Sequence, residues 1–263
     1  MKTGFLGSIF VLLTFTCSAV LLAQSSKQPE AVKSMPNLSG TWNRSVGSSA
    51  AGIPEDDASG APFFGFAKQE PSLQPAAMET YKANRKGLAD PRSKGRDEFD
   101  PSSSCFPPGP TRIFTLTRPF EIRQTTGVVY ILSETDHWVR RIYMDGRGHP
   151  DGYPSAWMGH SIGKYDGNML VVDTADINEN TWLDSLGHPH SDSLHLTERF
   201  RRVNHDTLEI DVTFDDPKAY TKPWTGKKTY QLQPASYEMK EDMVCDEYRK
   251  PGLRNDGFEF IKP

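Results

Sequence analysis

Apolar and polar positions divide the chain into segments of different character. Residues 5–22 are apolar with few interruptions. Residues 45–70 are rich in Gly, Ser, Ala, Pro and acidic groups without an apolar period, which predicts a loop. Pro71 and Ser72 open a stretch in which Met78, Tyr81 and Leu88 make a rough apolar stripe, predicting one helix over 71–88. Residues 89–110 read as loop again. From Ile113 onward, runs of β-branched and aromatic residues alternate with turn residues at short spacing. They predict strands over 113–116, 120–124, 128–133, 138–144, 158–165, 169–173, 194–202, 208–214 and 229–232. Asp166-Gly167, between two of these runs, is the best short hairpin signal in the chain.

One strand shows its two faces plainly. Leu208, Ile210, Val212 and Phe214 fall on one side, and Glu209, Asp211 and Thr213 on the other. Sequential strands without intervening helices pair antiparallel, because parallel neighbours need crossovers. The fold class is therefore mainly β: an antiparallel meander closing into a barrel, with one N-terminal helix and long loops. A curved β-sandwich is the alternative. An additional strand is predicted near Asn37-Leu38-Ser39-Gly40-Thr41-Trp42, and its Gly40-Thr41-Trp42 resembles the opening of lipocalins. That resemblance implies a barrel with a ligand cavity.

The N-terminal run changes the reading of the whole chain. Lys2, the apolar stretch and the small residue Ala23 follow the order of a secretory signal. Residues 1–23 are expected to be removed, with cleavage after Ala19 as the alternative, and the product is expected in the periplasm or outside the cell. A spanning anchor needs roughly 20 apolar residues, and no basic stop follows the run, so no stable membrane insertion is expected after cleavage. Residues 24–110 would supply the first strand, a loop and the helix, 111–235 the barrel, and 236–263 a tail. Only Cys105 and Cys245 survive cleavage, and an oxidising compartment predicts one disulfide between them. Without a CxxC pair, a cysteine-rich zinc site is excluded.

Charge narrows the partners. The 30 basic and 34 acidic residues are interspersed, for a net charge of -4, and no basic block points to nucleic acid. A small organic molecule is the expected partner. The sequence holds no G-x-S-x-G, Walker loop, strand-linked G-x-G-x-x-G or H-E-x-x-H.

Seven histidines stand in the chain, three of them (His188, His190 and His195) within eight positions. Imidazole titrates near neutrality, so a proton-transfer reading takes His160, His188, His190 and His195 as donors and acceptors. Asp173 and Asp184 would orient a histidine. Arg199, on the same strand face as His195 and Thr197, would hold an anionic or carbonyl ligand. Trp157, Trp182, Arg140 and Glu121 would complete the ligand site, with Glu121 as the partner of an inward Arg140. A metal reading takes His188, His190, His195 and Glu198 as ligands for a divalent ion such as zinc. A structural reading makes His188-Pro189-His190 a rigid corner.

Several segments belong together as a pattern: Trp157-Met158-Gly159-His160-Ser161-Ile162-Gly163, Gly187-His188-Pro189-His190-Ser191, His195-Leu196-Thr197-Glu198-Arg199-Phe200 and Asp216-Pro217-Lys218-Ala219-Tyr220. Over about 100 residues the chain resembles a family of exported bacterial β-rich proteins. The resemblance implies that the histidine segment belongs to a family pattern, and it transfers no reaction. The expected function is His-dependent acid–base chemistry on a small molecule, of isomerase, lyase or hydrolase type. A non-catalytic ligand carrier and a metal-dependent enzyme are the alternatives.

Overall fold

Alternation along each strand sorts side chains into an inner and an outer face, and the inner faces meet in one core. The computed structural model describes Met1 and residues 35–44, 62–89 and 100–240. The expected signal segment beyond Met1, Cys245 and the tail beyond residue 240 lie outside the described residues. Among the described residues, nine strands close into a barrel in sequence order. They are β1 (Gly40–Asn43), β2 (Phe120–Gln124), β3 (Val128–Ser133), β4 (Val139–Tyr143), β5 (His160–Asp166), β6 (Met169–Ala175), β7 (His195–Arg202), β8 (Thr207–Asp215) and β9 (Trp224–Leu232). β1 also pairs with β9, Trp42 opposite Leu232, and this seam closes the ring.

The expected all-antiparallel meander is corrected at one seam. β4 and β5 pair parallel, Ile142 opposite Ser161 and Tyr143 opposite Ile162. Strand directions cannot alternate all the way round a ring of nine, so an odd number of neighbours must run parallel. The β4–β5 pair is that exception. It obliges residues 144–159 to return along the barrel before β5 begins, as a parallel connection must.

The inner face is filled by side chains. Trp42, Phe114, Phe120, Phe200, Phe214 and Tyr230 are buried there with aliphatic residues from β2 through β8. Burying each such large apolar side chain stabilises the fold by roughly 1.5–3 kcal/mol. The ligand-bearing interior expected from lipocalins is occupied by this core.

Three predicted elements differ; the last strand, expected over 229–232, starts at Trp224 as β9, and two others lie before β2. Residues 113–116 form no strand; Arg112–Thr115 is a buried 3-10 turn. The Arg112 guanidinium donates to both carboxylate oxygens of Asp100, at 2.6 and 2.5 Å, and sits over the Trp182 ring. Phe114 is thereby aimed into the core, edge-on to Phe120, Phe200 and Tyr230. The helix α1 starts at Pro75 and spans Pro75–Ala89, because the residues before it pair with another segment. Leu73 bridges Tyr220, and the Thr221 amide donates to the Ser72 carbonyl.

Candidate functional site

Asp173 and His195 stand on neighbouring strands, both on the outer face. In the β6–β7 register Asp173 lies opposite Thr197, which places His195 two residues along the same face, diagonally across from Asp173. The His195 Nε2 lies 2.7 Å from the Asp173 Oδ1. The returning segment 144–159 brings a third side chain over this face: His149 Nε2 lies 3.2 Å from the same oxygen. Behind it, His149 Nδ1 and His160 Nδ1 are 2.8 Å apart, so one carries the hydrogen and donates to the other.

His160 is buried against the rings of Tyr143, His149 and Tyr153. Burial, with the nearby His149 and Arg147, holds its pKa below the usual imidazole range. The other three side chains remain accessible, with 23% of His149, 44% of Asp173 and 46% of His195 exposed. The arrangement is a line of four titratable groups running from solvent to a buried imidazole.

A second cluster forms around His188. Its Nδ1 donates to Asp184 Oδ2 at 2.7 Å and its Nε2 to Glu70 Oε1 at 2.5 Å, with the ring stacked on Tyr81. Burial disfavours the charged imidazole, but the two carboxylates outweigh it and raise the pKa to about 9. The Asp184 carboxylate also accepts the Leu186 and His188 amides, at 3.0 and 3.4 Å. This cluster ties the segment before α1 to the loop that precedes β7.

The other residues singled out in the sequence are placed as follows. His190 is buried, its Nδ1 donating to the Ser191 carbonyl at 2.8 Å and its Nε2 accepting from the Thr181 hydroxyl at 2.7 Å. Burial lowers its pKa. Arg199 faces outward and lines a groove of about 860 Å³ together with Glu70, Asp211 and Trp224. The inward face of β7 is the one carrying Leu196, Glu198 and Phe200, so His195 and Arg199 do not enter the barrel. Trp157 stacks on Phe106, and Trp182 is buried under Arg112.

The expected Arg140–Glu121 pair is corrected by the same alternation. On β2, Phe120 and Ile122 point inward and Glu121 outward, where Glu121 pairs with Arg123. Arg140 points inward and pairs with Glu198. This pairing also removes Glu198 from the expected metal set. His188, His190, His195 and Glu198 are not brought together, since each has different partners.

Sequence reasoning missed His149 and Glu70 as site residues. His149 sits between turn residues in a segment without periodicity, and only its place in a long gap between two strands hinted at a use. Of the proton-transfer set, the structure gathers His160, Asp173 and His195 at one place and Asp184 with His188 at another. No family model, curated protein or solved structure matches the chain.

Proposed function

We propose that this chain is an exported enzyme that performs a proton-transfer or hydrolytic reaction on a small polar molecule at the His149–Asp173–His195 cluster. The observation that carries this reading is the single Asp173 oxygen shared by His149 and His195, at 3.2 and 2.7 Å. A carboxylate that orients imidazoles beside solvent is the arrangement general acid–base chemistry needs. The line from His195 to buried His160 offers a path along which a proton taken from water or substrate can be held.

Two rival classes are less well supported. A carrier needs a large apolar cavity, and the barrel interior among the described residues is packed with side chains. A structural cluster would be enclosed, and these three side chains keep contact with solvent. Export rests on the order of Lys2, the apolar run and Ala23, and on the resemblance to exported β-rich proteins. The balanced charge favours a small molecule over nucleic acid.

The test is turnover of a panel of small esters, lactones, amides and phosphoesters, with solvent-deuterium exchange into carbon acids as a second readout. Asp173→Asn and His149→Ala should each lose about 100-fold or more in rate while melting normally. Wild-type rates in both variants, or no turnover across the panel, would overturn the reading.

A further inference from the structure

We infer that His149, Asp173 and His195 bind a divalent cation of the zinc or ferrous class, with coordination positions left open toward solvent. For its catalytic consequence this inference rests on the function proposed above; as a binding site it stands on geometry alone. The donor atoms of the three side chains all lie within 4.8 Å of one another. A cation held at about 2.0–2.2 Å from each ligand sets its ligands roughly 3–3.6 Å apart. The His149 Nε2–Asp173 Oδ1 separation of 3.2 Å lies in that range, and the His195 Nε2–Asp173 Oδ1 separation of 2.7 Å lies just below it.

Three features distinguish this cluster from a surface ion pair. First, side chains with water available have no burial to force them together, yet these three converge on one point. Second, two side chains from different segments turn a ring nitrogen to one and the same carboxylate oxygen, Asp173 Oδ1, at 2.7 and 3.2 Å. Imidazole nitrogen with carboxylate oxygen is a donor set that borderline metals take. Third, the ligands sit on supports that hold them. Asp173 and His195 come from paired strands, and the remote nitrogen of His149 is presented while its other ring nitrogen meets buried His160. A metal-bound imidazole characteristically donates its second N–H to an acceptor, most often a carboxylate, carbonyl or water; here the ring nitrogen of His160 stands in that place at 2.8 Å.

The donor set selects the ion. Two imidazoles and one carboxylate suit borderline metals, whereas calcium and magnesium prefer all-oxygen sites. Three protein ligands with an open side match catalytic sites, where the ion lowers the pKa of a bound water.

The experiment titrates zinc into the exported, untagged full chain after EDTA treatment and dialysis, by calorimetry, with cobalt(II) absorption as a coordination readout. One equivalent should bind and raise the melting temperature. His149→Ala, Asp173→Asn and His195→Ala should each weaken binding by 100-fold or more, and His160→Ala by about 10–100-fold. His205→Ala, whose ring pairs with the exposed Asp206, should bind zinc normally. Circular dichroism establishes that each variant is folded before titration.

No zinc binding at millimolar concentration, binding unchanged in the three ligand variants, or a preference for magnesium or calcium would overturn the inference. If no metal binds while Asp173→Asn still abolishes turnover, the metal fails and the proton-transfer function stands. If zinc binds at this site and no substrate turns over, the site stands and the proposed function fails.

Discussion

Arg140 on β4 and Glu198 on β7 form a buried ion pair inside the barrel, with 1% and 0% of their side chains exposed. The two intervening strands contribute Ser161 and Thr174, whose hydroxyls accept from the same guanidinium at 3.1–3.2 and 2.9 Å. The Pro110 carbonyl accepts a further bond at 3.2 Å. One polar line thus crosses four consecutive strands, including the parallel seam.

Removing one partner leaves the other charge buried and unpaired. Glu198→Ala should destabilise the fold by about 3–5 kcal/mol, while the double change Arg140→Met with Glu198→Leu should cost much less. Equilibrium urea unfolding measures both. A cost below about 1 kcal/mol for Glu198→Ala would contradict a structural role for the pair.

His188 makes stability depend on alkaline pH. Its pKa is raised to about 9, above the value near 6.5 of an unfolded histidine. A raised value means the folded state binds the proton more tightly, so the contribution is full below about pH 6.5 and is lost as pH climbs through about 9. The melting temperature of the wild type should therefore fall between pH 6.5 and 9.5 by more than that of His188→Gln. Parallel curves for the two proteins across this interval would refute the assignment.

Gly159 sets the approach to His160. Its φ is 62°, a left-handed conformation that favours glycine. A Cβ there would meet Ile177 Cγ1 at 2.7 Å and the Ala175 carbonyl at 2.8 Å, the latter being backbone that cannot rotate away. Gly159→Ala should cost about 1–3 kcal/mol and disturb the His149–His160 contact. Thermal melts and the histidine ring resonances would report both effects. Unchanged stability together with unshifted His149 and His160 signals would exclude this role.

The site was half legible in the sequence. His160, Asp173 and His195 carried a chemical signal because imidazole and carboxylate recurred on predicted strands; in the structure Asp173 meets His195 directly and His160 joins them through His149. Whether the face carrying His195 and Arg199 looks inward is a choice that alternation leaves open. A strand reading His195-Leu196-Thr197-Glu198-Arg199-Phe200 states which residues share a face, but not which face looks inward. The core settled it by burying Leu196 and Phe200, and Glu198 went in with them because Arg140 was there to meet it.

By itself the sequence determined most strand positions, their alternation and the mainly β class, since these depend on neighbours a few residues apart. It misplaced a strand on the 3-10 turn at Arg112–Thr115 and the start of β9 at Trp224. Tertiary structure alone decided the parallel β4–β5 seam, the return of residues 144–159 and the meeting of His149 with Asp173 and His195. The reason is closure. A ring of nine strands imposes its parity only once the last strand has paired with the first, and no local periodicity contains that constraint.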